Sequence, residues 1–272
     1  MTQTQIQTQT ETQAEFHVRA RAEAALPPFQ VSTTRGGLGP GHYVITPANH
    51  FGSRLPDFAS TVVKKLTTPR NGSARVAMTL LEIEPGGGTI RPTGDGFEHF
   101  LYTLDGGLSG PFGEDAPATA FAFLPAGERF EIVNRSAETA RLIWVKRRYE
   151  AHPGEPDPAP VTGVAGAMTA TPGSVPGVYR LELLPAEPAF DFAMSILSFD
   201  PGAVFPKVEI HDEEHVLYML EGRGVYVLDR AHYEVGQDDF IYMAPYCPQY
   251  YYPGGLSRSA YLLYKDANRD GF

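Results

Sequence analysis

The sequence predicts an all-β protein built from two antiparallel barrels or jelly rolls in tandem. Three observations carry that expectation. Short apolar runs rich in β-branched and aromatic side chains are bounded at close intervals by Gly, Pro, Asn or Asp, the punctuation of strands and turns. The chain holds 28 Gly and 24 Pro beside 14 Tyr and 16 Phe, which breaks helices and suits sheets with aromatic faces. The pattern of the first half then begins again in the second, in places nearly residue for residue.

Taken in order, residues 1–34 are a tail and lead-in. Residues 1–14 form a Gln/Thr tract in which Ile6 is the one large apolar side chain after Met1, too little to offset the entropy of ordering it. The Ala-rich segment 14–26 has room for a helical turn or two before Pro27 and Pro28. Residues 35–151 carry the first set of strands: 42–47 (HYVITP), 60–68, 74–88, 99–107 (HFLYTLDGG), 120–127, 128–134 and 140–150. Residues 152–163 are Pro-rich with hardly any apolar bulk, so they read as a stiff linker between domains that resists inclusion in a central strand. Residues 164–272 carry the second set: 177–185, 192–203, 215–222 (HVLYMLEG), 224–235, 238–245, 249–253 and 259–266 (SAYLLYKD). The internal match is local as well as rhythmic. His99 to Gly106 lines up with His215 to Gly222, Phe123 to Gly127 with Met243 to Cys247, and Glu84 with Asp200.

Composition excludes several classes of function. A net charge of −10 provides no basic field for nucleic acid or an anionic membrane, although one or two local cations suffice for a small anionic substrate. No run approaches the length of a membrane span. The first residues have neither a basic start nor an apolar core, so no secretory signal is read and a cytoplasmic protein is expected. Cys247 is the single cysteine; nothing basic beside it suggests an activated thiolate.

The chemistry concentrates in residues 202–222 (GAVFPKVEIHDEEHVLYMLEG). On a strand, Glu209 and His211 share a face, and His215 follows four residues later across the acidic run Asp212-Glu213-Glu214. That run reads as a solvated corner. One carboxylate and two imidazoles converging on a point describe a hard-to-borderline metal site short of a ligand. A lone histidine in a barrel, by contrast, reads as a hydrogen-bonded core residue, and His99 is assigned that role.

These residues resemble the cupin superfamily, with Gly202, Glu209, His211, His215 and Gly222 on its first motif and Pro245-Tyr246-Cys247-Pro248-Gln249 on its second. A Glu stands where the family's first His is usual, a His where its Glu is usual, and Gln249 replaces the final His. That substitution pattern, with the closing segment 242–270 (YMAPYCPQYYYPGGLSRSAYLLYKDANRD), resembles the (S)-ureidoglycine aminohydrolases of purine breakdown. The resemblance implies tandem cupin barrels and a metal held by Glu209, His211, His215 and Gln249. The ion it implies is Mn2+, one per chain, in the C-terminal barrel; Fe2+ would suit the same donors.

It further implies hydrolysis of (S)-ureidoglycine to (S)-ureidoglycolate and ammonia. Lys265 and Tyr261, four apart and so on one face, would hold the substrate carboxylate. Tyr226 would be a further pocket residue, and Glu209 would move a proton as well as bind metal. In the first half only His99 is retained; Thr93 and Asp95 sit where Glu209 and His211 do, and Arg129 falls in the Gln249 region. That half is expected to be a structural barrel without metal, and its apolar strands suggest a homo-oligomer. Two rival functions stay open at this point: a cupin oxygenase or decarboxylase of a small acid, and a non-enzymatic small-molecule binder.

Overall fold

The computed structural model describes residues 35–269. The expected Gln/Thr tail and Ala-rich segment lie outside the described residues. Every strand pairing is antiparallel, in three sheets.

The C-terminal barrel has two walls. One runs, in spatial order, Phe240–Met243, His215–Glu221, Ser259–Asp266, Phe192–Phe199, Val178–Glu182 and Thr171–Pro172. The other is the three-stranded sheet of Ala231–Gly236, Arg223–Leu228 and Gln249–Gly254. The N-terminal barrel is one curled ten-stranded sheet centred on Glu98–Thr103, Ala140–Arg147 and Val76–Thr89. Gly222 closes the turn after His215–Glu221 at φ 71°. A Cβ there would stand 2.5 Å from the Arg258 carbonyl oxygen, so the turn requires glycine.

Strand alternation explains why there are three cores rather than two. Leu101 and Leu142 face into the N-terminal barrel with Leu81, Ile83 and Ile132. Leu217, Met219 and Leu263 face into the C-terminal barrel with Tyr226, Val235 and Tyr251. The neighbours of these residues point the other way, and Phe100, Tyr102, Ile143 and Val145 meet Val216, Tyr218, Leu262 and Tyr264 in a core between the barrels. Fully burying each such side chain stabilises by about 1.5–3 kcal/mol. Part of each barrel's apolar outer face is thus covered by the other barrel of the same chain, while Leu38, Phe51 and Ile90 of the N-terminal half remain exposed.

Hydrogen bonding crosses the expected 152–163 boundary in both directions. His42–Ile45, early in the chain, pairs with Phe240–Met243 of the C-terminal wall. Val161–Val164, which begins inside the Pro-rich stretch, pairs with Ala120–Leu124 at the edge of the N-terminal sheet. An edge is where proline-flanked sequence can join a sheet. The expected strand over 128–134 shrinks to Val133–Asn134 plus an isolated bridge at Phe130. Among the described residues no helix is long and apolar enough to cross a membrane.

Candidate metal centre

Glu209 is held in place by a two-way backbone bridge: its N–H donates to the Gln249 carbonyl, and the Gln249 N–H donates back to the Glu209 carbonyl, both at 2.9 Å. Extended backbone then carries Glu209 and His211 on one face, while Val208 and Ile210 turn outward and are exposed. The Tyr246 N–H fixes the far end by donating to the His211 carbonyl at 2.6 Å. His215 opens the strand His215–Glu221 and lies directly opposite Lys265 on Ser259–Asp266. Tyr261 lies four residues back on that strand, and Tyr226 comes from the facing sheet.

All seven residues singled out from the sequence line one cavity of about 180 Å³ inside the C-terminal barrel. Glu209 Oε2 is 3.5 Å from His211 Nε2, and the two imidazole centres are 5.0 Å apart. The Gln249 amide lies against His215 Nδ1, with Nε2 at 3.0 Å and Oε1 at 3.3 Å. In this arrangement Gln249 orients the imidazole that it was expected to assist as a ligand. Burial, and then the neighbouring His211, lower the His215 pKa to about 4, so the ring is neutral near pH 7. Its Nε2 is buried without a hydrogen-bond partner.

Among the described residues no three His, Cys, Asp or Glu side chains stand in a ready-made metal-binding arrangement. The donors are gathered but not drawn together. Their chemistry nevertheless fits a divalent ion: a neutral imidazole with a buried, unpartnered nitrogen, a second imidazole, a carboxylate and an amide around one cavity. Burial is the first cause that raises the pKa of both Tyr226 and Tyr261; the Tyr261 phenol raises Tyr226 further, while the hydrogen bond with Tyr226 partly lowers Tyr261. Both are therefore neutral hydrogen-bonding groups across the working pH range.

The acidic run is not the solvated corner expected from sequence. Only Asp212 is exposed. Glu213 accepts from Lys265 Nζ at 2.9 Å; burial pushes its carboxyl up, but the Lys265 hydrogen bond and charge outweigh that and leave it below the usual range. Glu214 is 1% exposed and accepts the Arg75 N–H on both oxygens at 3.0 Å. Burial, then the charge of Asp266, raises its pKa to about 7. Cys247 is buried and its thiol pKa is raised by that burial, in keeping with an inert side chain.

Sequence reasoning missed two cationic residues of the cavity wall, Arg180 and Lys207. Lys207 was within reach of it, because it stands two residues before Glu209 in the sequence. Arg180 arrives from Val178–Glu182 with no local signal in the sequence.

The N-terminal barrel repeats this architecture with different contents. Thr93 and Phe130 form the bridge equivalent to Glu209 and Gln249, so Phe130, not Arg129, holds the position of Gln249. Lys146 lies opposite His99 as Lys265 lies opposite His215. Its ammonium pairs with Asp95, and Trp144 Nε1 donates to His99 Nδ1 at 3.1 Å. His99 is thus the hydrogen-bonded core residue expected of it.

Two barrels of this topology, one enclosing a mixed N/O donor set, define a tandem cupin. A cupin domain model matches residues 195–254, the stretch that contains the four candidate ligands. A rice (Oryza sativa subsp. japonica) protein named "Probable (S)-ureidoglycine aminohydrolase" is 34% identical over 245 residues, which cover 87% of this chain and 76% of the relative. The (S)-ureidoglycine aminohydrolase of Arabidopsis thaliana is 33% identical over 244 residues, covering 87% and 79%. The solved structure of protein Ylba from E. coli superposes with a TM-score of 0.79 at 30% identity, covering 91% of this chain and all of the other. The chain belongs to the (S)-ureidoglycine aminohydrolase family.

Proposed function

We propose that this protein hydrolyses (S)-ureidoglycine to (S)-ureidoglycolate and ammonia in the breakdown of allantoin, with Mn2+ bound by Glu209, His211, His215 and Gln249. The relatives that share most of its length bear the name of that reaction. The observation that carries it to this chain is the single cavity that gathers those donors with Tyr226, Tyr261 and Lys265, and in which His215 Nε2 is buried without a partner. Fe2+ suits the same donors. A cytoplasmic homo-oligomer is the setting proposed for it.

In the reaction the bond from carbon to the amino group breaks, and water forms a new C–O bond at that carbon. The amine must leave with one more proton than it brought, and water must give one up. A bound divalent ion supplies electrophilic assistance to such an exchange. Glu209 is the carboxylate in the cavity with an oxygen that can take a proton and return it. Tyr226 and Tyr261, kept neutral by burial, serve as hydrogen-bond donors and not as bases. Lys265 and Tyr261 hold the substrate carboxylate, and fixing the reacting carbon in this way can lower a barrier by several kcal/mol.

Ammonia release from freshly prepared ureidoglycine, with and without added Mn2+, tests this reading. Metal-stimulated release that spares allantoate is expected. No release, or equal turnover of allantoate, overturns it, and oxygen consumption during turnover would place the protein with the cupin oxygenases.

A further inference from the structure

Three cationic side chains line the cavity: Arg180, Lys207 and Lys265. Two have partners. Lys265 donates to Glu213 at 2.9 Å, and Arg180 Nε lies 2.5 Å from Glu182 Oε1 while its Nη2 donates to Ser195 Oγ at 3.3 Å. Lys207 makes no hydrogen bond or ion pair with any described residue. Lys207 sits in a bend two residues before the Glu209 bridge and its side chain joins the cavity wall, while Val208 and Ile210, 55% and 59% exposed, turn outward. An unpaired ammonium at the wall of this cavity, in a protein of net charge −10, is a local attraction for an anion beside the candidate donors.

We infer that Lys207 is a specificity-determining residue that recognises the carboxylate of the substrate. The inference rests on the proposed reaction and deepens it. Because Lys265 shares its charge with Glu213, Lys207 supplies the uncompensated positive charge that distinguishes a carboxylate from its neutral amide. It acts by binding and not by moving protons at the reacting carbon.

The test uses the full chain loaded with Mn2+, and two probes that cannot react because they lack the amino group: ureidoacetate and its neutral amide, ureidoacetamide. Calorimetric titration of the unsubstituted protein is expected to show ureidoacetate binding well above ureidoacetamide. Lys207→Met is expected to weaken ureidoacetate about tenfold, the scale of one charge-assisted hydrogen bond at a solvated site, to leave ureidoacetamide unchanged, and to be rescued by Lys207→Arg. With ureidoglycine, KM is expected to rise about tenfold with kcat and bound Mn2+ unaltered. Lys207 is exposed, so an unfolding midpoint equal to that of the unsubstituted protein is expected. Equal ureidoacetate affinity in Lys207→Met, or no ureidoacetate binding by the unsubstituted protein, overturns the inference. Charge-selective binding lost in Lys207→Met, without any ammonia release from ureidoglycine, would keep Lys207 as the anchor and remove the proposed reaction instead.

Discussion

Glu98→Gln is expected to remove a loss of stability that the protein suffers as the solution becomes alkaline. Glu98 is 1% exposed, and both its carboxyl oxygens are buried without a hydrogen-bond partner. It lies in the core between the barrels with Asp191, 0% exposed, and Arg147, 2% exposed. Burial, and then the Asp191 carboxyl, push the Glu98 pKa well above the carboxylate range, and Arg147 only partly opposes them. Folded protein therefore keeps a proton on Glu98 at neutral pH, whereas the unfolded chain loses it near the ordinary value of 4.5. The stability from that proton is complete below the unfolded pKa and drains away as pH rises towards the folded one. One proton gives a slope of about 1.4 kcal/mol per pH unit, hence about 2.7 kcal/mol between about pH 6 and pH 8 as an upper limit. Glutamine is neutral, nearly the same shape, and can donate to Asp191. Urea unfolding of both proteins at several pH values measures the difference. It should move in favour of Glu98→Gln as pH rises; a difference constant across the range would refute the protonated carboxyl.

The same cluster makes Arg147→Met a severe change. Arg147 reaches from the N-terminal barrel to Asp191 and Asp266 of the C-terminal half and donates to Tyr264 at 2.6 Å; stranding those carboxylates should cost about 3–5 kcal/mol in a denaturant titration. Mn2+ at a hundred times its Kd should stabilise the protein by about 2.7 kcal/mol, seen as a raised Tm, and His215→Ala should abolish the rise. Lys265→Ala should lower kcat/KM on ureidoglycine by about a hundredfold or more while bound Mn2+, read by elemental analysis, stays near one per chain; Glu209→Ala should lose both activity and metal.

Much of this was legible because two signals are local. Period-two alternation put Glu209 with His211 and Tyr261 with Lys265, and the repeat aligned His99 with His215. The barrel interior then follows from which face each strand turns inward. What stayed hidden depends on partners distant in sequence. Burial of Glu214 is set by the Arg75 N–H and by Tyr242, and nothing near residue 214 announces either. Val161–Val164 becomes a strand because the free edge of Ala120–Leu124 accepts it, despite its proline-rich approach. His42–Ile45 has the composition of any strand, so its choice of Phe240–Met243 across the chain could not be read from it. Residues 128–134 alternate well, yet only Val133–Asn134 finds a continuous ladder.

The duplication shows what separates a cavity from a filled barrel. Both halves keep the bridge, the histidine and the lysine facing it across the neighbouring strand. In the N-terminal half Glu209 and Gln249 are replaced by Thr93 and Phe130, and the counterpart of Leu263 is Trp144. The rings of Phe130 and Trp144 then pack against His99 at centroid distances of 5.1 Å and 5.9 Å, where His215 faces open space. The two donors left there, Asp95 and His99, already have partners: the Lys146 ammonium meets Asp95 and also lies 4.4 Å from the Phe97 ring centre. A carboxylate satisfied by an internal cation has little to gain from an external one, since binding it would strand the lysine. In the C-terminal half Lys265 pairs with Glu213 instead, while Glu209 and His211 lie 3.5 Å from each other at the cavity. Two differences therefore separate the barrels: aromatic rings fill the N-terminal interior, and the carboxylate that meets the lysine stands at 95 there but at 213 in the C-terminal half.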